Sequence, residues 1–177
     1  MLRLDRFDPV RDSPLLHSWV TEDRARFWMM GDHTVDEVRE IYTWLDEQST
    51  HHVWLVRDDD EPVALYQDYL PTAEEVGEKY DVLDGDLGAH FMLAPPSAPR
   101  PGFTPYVMGF LMEAVFADPE VRRIVVEPDA RNDKAVALVT RLGFELGPVV
   151  QLSTKPAQLA FLTRETYESA FANHASA

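Results

Sequence analysis

The chain has 177 residues, 45% of them apolar and 11% aromatic, and no cysteine. That content suits one domain with a sizeable core and excludes a disordered chain, a disulfide framework, a thiolate nucleophile and a Cys-based zinc site. Sixteen basic against thirty-one acidic residues give a formal net charge of −15, which argues against nucleic acid or an anionic membrane as partner, because phosphate binding needs Lys and Arg in excess.

Leu2, Leu4 and Phe7 alternate with Arg3, Asp5 and Arg6, the period of a first strand. Ser13-Pro14 reads as an N-cap followed by proline at the first helical position, with Leu15, Leu16, Trp19 and Val20 as the apolar side. Thr21 can cap a second short helix through Phe27 and Trp28, ended near Gly31. Thr34 and Glu37 have capping-box spacing, and Val38, Ile41, Tyr42 and Leu45 then recur at helical intervals to about Gln48. The runs 52–56 and 63–69 flank Asp58-Asp59-Asp60-Glu61-Pro62, which predicts a hairpin. Residues 70–84 read as a loop or ragged strand. Residues 87–93 form the next strand, after which Pro95, Pro96, Pro99 and Pro101 exclude helix and sheet interior.

Thr104 as N-cap and Pro105 at the first position open a further helix, with Phe103, Val107, Phe110, Leu111 and Ala114 on one stripe. Residues 124–126 are a short, wholly apolar strand of the kind buried on both faces. Residues 132–142 are amphipathic and are stopped by Gly143. Residues 144–152 and 159–163 can be two last strands. The resulting reading is a single domain over 1–168 and a flexible tail over 169–177. Its fold class is α/β (α+β): a mixed, mostly antiparallel sheet of about seven strands, about four helices, and a parallel strand–helix–strand crossover at the centre. Such a crossover sets a loop and a helix N-terminus at one end of the sheet, a general anion site. No apolar targeting segment or membrane-length run is present, so the default location is the cytoplasm.

Individual residues carry the chemistry. His90 lies mid-strand, on the face opposite Ala89 and Phe91, and an imidazole suits proton removal at neutral pH. Alone, a strand histidine is more often structural. Asn132 is a good N-cap, and Asp133 is an acid that a first helical turn favours through the dipole alone. His51 and His52 point to opposite faces, which speaks against a metal there. Between Arg57 and His90 eleven acids meet two bases.

Three stretches together carry a resemblance: Pro99 to Thr104 between strand and helix; Asn132-x-x-Ala135-x-x-Leu138-x-x-Arg141-x-Gly143-Phe144; and GDLGAHFMLAPP at Gly85 to Pro96. The first two resemble the GCN5-related N-acetyltransferase (GNAT) superfamily. The third, with residues 124–135 and 152–165, resembles its acyltransferases of hydroxamate siderophore biosynthesis. The resemblance implies an acyl-coenzyme A co-substrate (acetyl or succinyl) and no metal. Its diphosphate would lie at Arg100, Gly102, Phe103 and Thr104, with Met92 and Leu93 at the thioester carbonyl and Asn132 facing the pantetheine arm. The loop departs from the superfamily pattern at Pro99, and Val139 stands where the family often has a Tyr acid. His90 and Asp133 are implied as the catalytic pair. Trp28, Gln67, Asp68, Tyr69 and Asp86 are expected around the acceptor, with the acids from Asp68 onward attracting its cationic end.

The implied reaction is direct acylation of an N-hydroxylated amine, N-hydroxycadaverine or N6-hydroxylysine, to a hydroxamate by a monomer or homodimer. An aminoglycoside 6′-N-acetyltransferase and a non-catalytic acyl-coenzyme A sensor are the alternatives.

Overall fold

The computed structural model describes residues 1–95 and 100–174, the last four as helical backbone alone. Pro96 and Pro99 of the proline loop and residues 175–177 of the expected tail lie outside the described residues. Seven strands, β1 (Leu2–Arg6), β2 (His51–Asp58), β3 (Glu61–Tyr69), β4 (Asp86–Leu93), β5 (Arg123–Val126), β6 (Glu145–Gln151) and β7 (Pro156–Thr163), form one mixed sheet in the order β1-β2-β3-β4-β5-β7-β6. The α-helices are α1 (Pro9–Val20), α2 (Val35–Glu47), α3 (Phe103–Phe116), α4 (Asp133–Arg141) and α5 (Arg164–His174). β4 and β5 pair in parallel around α3, as the element order predicts, while β1–β2, β5–β7 and β6–β7 are antiparallel.

The chain, expected as one domain, divides into two compact units, each drawn from two separated stretches: Met1–Asp68 with Phe91–Val107, and Tyr69–His90 with Met108–Ala177. In the first, α1 and α2 bury Leu16, Trp19, Val20, Val38 and Tyr42 with Val53, Leu55 and Leu65 from the hairpin and Met92 from the end of β4. In the second, Tyr69 and Val76 pack with Leu152, Ala157 and Leu159, and Tyr80 and Phe161 close the margin.

Several helix ends differ from the sequence reading. α1 begins four residues before Ser13-Pro14. Asp8 caps it by accepting from the N–H groups of Val10 and Arg11, Pro9 supplies the favoured first position, and Pro14 lies inside the helix. Asp12 accepts in return from the Asp8 N–H at 2.8 Å, so Asp8-Pro9 is the better-satisfied start. Thr21 closes α1 by donating to the His17 carbonyl, and the following turn is 3₁₀, Asp23–Trp28. The capping box of α2 forms in both directions. Residues 70–84 are a loop with two 3₁₀ turns, Pro71–Ala73 and Glu75–Glu78.

α3 starts at Phe103, so Thr104 and Pro105 lie within its first turn and do not cap it. Gly102, at φ +75°, redirects the chain, and its carbonyl accepts from the Tyr106 N–H. Asn132 caps α4 through the Ala135 N–H, and Gly143, at φ +90°, follows its end. Where a fraying tail is expected from about Ser169, the backbone is helical through residue 174. Among the described residues no helix is long and apolar enough to cross a membrane.

Candidate active site

The site follows from the parallel register of β4 and β5. Gly88 pairs with Val125, and continuing two residues sets His90 beside Glu127, the first residue after β5. The His90 Nε2 meets Glu127 Oε1 directly. The same oxygen accepts from the Tyr69 hydroxyl at 3.1 Å, and Oε2 accepts from Lys155 Nζ at 2.5 Å. Lys155 reaches there because residues 128–130 run alongside the start of β7, with Pro128 and Pro156 carbonyls accepting from Gln158 and Ala130. Lys155 ends the turn that joins β6 to β7. Glu127 is 5% exposed, whereas the His90 side chain is 36% exposed. The cluster therefore has a buried anion and a histidine that reaches solvent.

Gly88 explains how Tyr69 enters. Gly88 and His90 share one face of β4, two residues apart. A Cβ at Gly88 would overlap the Tyr69 ring, and the absence of one lets that ring lie on the strand, 5.1 Å from the imidazole centroid.

The charge states are fixed by geometry. Burial pushes the Glu127 carboxyl up, but charged His90 and Lys155 and their hydrogen bonds outweigh it and hold the group down at about 2. Burial, reinforced by Glu127, raises the Tyr69 hydroxyl well above its ordinary value, so it stays a donor. An ionised Glu127 only accepts. Nε2 of His90 therefore carries a hydrogen, and in the neutral ring the lone pair lies on Nδ1.

The structure does not join the expected pair. Among the described residues no hydrogen bond or ion pair links Asp133 to His90. Asp133 is exposed in the first turn of α4, and the carboxylate partner is Glu127, which sequence reading missed. Asn132 is seen as an N-cap. Asp86, expected at the acceptor, is 7% exposed and bound by a bidentate Arg123 at 2.7 Å, by Tyr80 and by the Leu83 N–H, so it anchors the start of β4. Asp68 is engaged by His52 at 2.6 Å and the Trp54 indole at 3.1 Å. Gln67 donates to the Tyr42 hydroxyl at 2.9 Å, and Trp28 hydrogen-bonds the same hydroxyl from the margin of the first unit's core. Met92 is buried in that core and the Leu93 carbonyl accepts from Arg24.

Arg100 pairs with Asp58 at 2.8 Å and lies 3.7 Å from the Phe103 ring centroid. Thr104 follows in the first turn of α3. Among the described residues, and apart from its two chain neighbours, nothing lies within 4 Å of a Cβ built on Gly102. A half-exposed guanidinium, open backbone and a helix N-terminus fit a diphosphate. No group of His, Asp and Glu able to hold a metal occurs among the described residues.

The mixed sheet with its parallel crossover is the fold of acyl-coenzyme A-dependent N-acyltransferases. The acetyltransferase (GNAT) domain family matches residues 8–152, and the chain belongs to it. Aminoglycoside N(6′)-acetyltransferase type 1 of Klebsiella pneumoniae is 26% identical over 164 residues, 89% of this chain and 81% of that protein. The crystal structure of aminoglycoside acetyltransferase AAC(6′)-Ib with coenzyme A and kanamycin superposes with a TM-score of 0.81 at 25% identity, over 96% of this chain and 98% of that one. An uncharacterised protein from Bacillus halodurans shares the fold with a TM-score of 0.89 at 20% identity, over 97% and 89% of the two chains.

Proposed function

We propose that the chain acylates the primary amine of a small, multiply cationic acceptor of the aminoglycoside kind, with His90 as the acid–base residue. The observation that carries this reading is the buried Glu127 carboxylate, which holds the Nε2 of the part-exposed His90 ring beside it. The aminoglycoside acetyltransferase relatives support the acceptor class. The acceptor ammonium gives one proton to the His90 imidazole, its nitrogen bonds to the acyl carbon, and as the carbon–sulfur bond breaks the second proton that the nitrogen sheds passes to the departing sulfur, releasing coenzyme A as the thiol. Arg100, Gly102 and the first turn of α3 would hold the diphosphate, and the co-substrate supplies the activated acyl carbon.

A second reading, acylation of an N-hydroxylated amine to a hydroxamate, is favoured by Val139. That side chain is 6% exposed and offers no proton to a departing thiolate where the family often has a Tyr. An N-hydroxyamine is largely neutral at pH 7 and needs less acid–base help. The segment Gly85 to Pro96 also carries the siderophore-type resemblance.

Thiol release measured with acetyl- and succinyl-coenzyme A against kanamycin, N-hydroxycadaverine and N6-hydroxylysine separates the two. Turnover with kanamycin supports the first reading, turnover confined to the hydroxylamines replaces it with the second, and turnover with none overturns both. A His90→Gln variant is expected to lose about 10²-fold or more in kcat while keeping acyl-coenzyme A affinity, as read by calorimetry.

A further inference from the structure

The turn that joins β2 to β3 reaches the loop ahead of α3. Asp58 is the last residue of β2, and pairing with Leu2 fixes it at the end of the β1–β2 ladder. Its side chain is 19% exposed. Oδ2 accepts from Arg100 Nη2 at 2.8 Å, and Oδ1 accepts from the Met1 amino group at 3.1 Å. Those donors, Arg100 first, hold the carboxyl below its ordinary value, so Asp58 is an anion at neutral pH. Arg100 is thus placed from two sides. Asp58 takes one corner of the guanidinium, and the Phe103 ring lies against its flat face, with the ring centroid 3.7 Å from the guanidinium carbon.

How the corner is held decides what the rest can do. A guanidinium carries five N–H donors in a planar fork. Elsewhere in the chain carboxylates take that fork along an edge. Asp86 accepts from Nε and Nη2 of Arg123, and Asp129 from Nε and Nη2 of Arg131. Asp58 takes Arg100 through Nη2 only. Nη2 has two hydrogens, one on each bidentate edge, so a single contact leaves the other edge whole. Stacking on Phe103 uses the flat face, which carries no N–H. Backbone donors are scarce at this place, because Arg100 stands between two prolines and Pro101 has no N–H. The charge for a diphosphate therefore falls to this side chain, and ordering a long, exposed arginine on binding is unfavourable unless it is already held. We propose that Asp58 is a positioning residue for acyl-coenzyme A, holding Arg100 by one corner so that the other edge of the guanidinium meets the diphosphate. The inference rests on the reading of Arg100 and Gly102 as the diphosphate site.

The test is calorimetric titration of the full chain with coenzyme A and with 3′-dephospho-coenzyme A, which keeps the diphosphate. Asp58→Ala is expected to weaken both about fivefold, through the ordering of one long side chain that Asp58 otherwise supplies. Asp58→Asn, whose amide oxygen still accepts from Arg100, should recover most of that loss. Arg100→Gln should weaken both ligands at least about tenfold, and adding Asp58→Ala to it should cost nothing further. Unchanged or tighter binding by Asp58→Ala, beside a weakened Arg100→Gln, would overturn this proposal alone and make Asp58 a bystander or a competitor of the diphosphate. An equal loss from Asp58→Ala in the Arg100→Gln background would also overturn it, since Asp58 would then act through the fold of the turn. Parent affinity in Arg100→Gln, or a loss confined to coenzyme A, would defeat the diphosphate reading and this proposal with it.

Discussion

Gly88 and His90 act together although they differ in every chemical respect. One removes a side chain so that the Tyr69 ring can lie on β4, and the other uses the same face to reach Glu127. Gly88→Ala is expected to expel the ring, to cost about 2 kcal/mol, seen as a lower urea midpoint, and to break the Tyr69 hydrogen bond to Glu127. His90 was legible because alternation in β4 gives its face and the Gly-x-His segment resembles a catalytic one. Glu127 was not. It follows an apolar strand and precedes a proline, and only the register of two strands 37 residues apart brings it to His90. Asp133 drew attention because an acid beside an N-cap looks poised, yet a first-turn side chain on α4 answers to the helix dipole and solvent.

Helix ends show where local chemistry suffices and where it does not. Thr34 and Glu37 satisfy each other's neighbours as their spacing predicts, since both halves of the motif lie within one turn. α1 offers two aspartate- or serine-proline starts, and the residues four further on, Asp12 and His17, rank them. The structure selects Asp8 because Asp12 answers it from inside the helix. α5 was missed because what secures it is distant. The Arg164 guanidinium collects the carbonyls of Phe116, the last residue of α3, and of Asp118 and Val121 beyond it, and Tyr167 stacks on Phe116 with centroids 4.6 Å apart. Arg164 thus serves as a C-terminal cap supplied from another element. Arg164→Ala should lower stability by about 2 kcal/mol, measured by chemical denaturation. It should also speed amide exchange in the last turn of α3 and in α5, leaving α2 unaffected.

For the whole molecule, the charge of −15 is less available than its size suggests. Asp68, Glu75 and Asp86 lie in the acidic stretch expected to attract a cationic acceptor. They are engaged instead by His52 and Trp54, by Ser153, and by Arg123. Acid should unfold the protein by way of carboxylates held below their ordinary value, Glu75 by Ser153 and Glu127 by His90 and Lys155. Glu127 has an ordinary carboxyl value near 4.5 when unfolded and about 2 when folded. Between those limits the unfolded chain takes up a proton that the folded one refuses, so stability falls as pH drops. The contribution is complete above about 4.5 and gone below about 2. Denaturant melts from pH 6 to 2 should show that slope, and Glu127→Gln should be less stable at pH 6 with a shallower one. The same four residues have a further consequence in time. Synthesis delivers Tyr69 and His90 first, Glu127 later and Lys155 last, with the turn that joins β6 to β7. Until that turn leaves the ribosome the nascent chain lacks the ammonium that balances Glu127. Closure of the four-residue cluster is thereby tied to completion of the C-terminal hairpin.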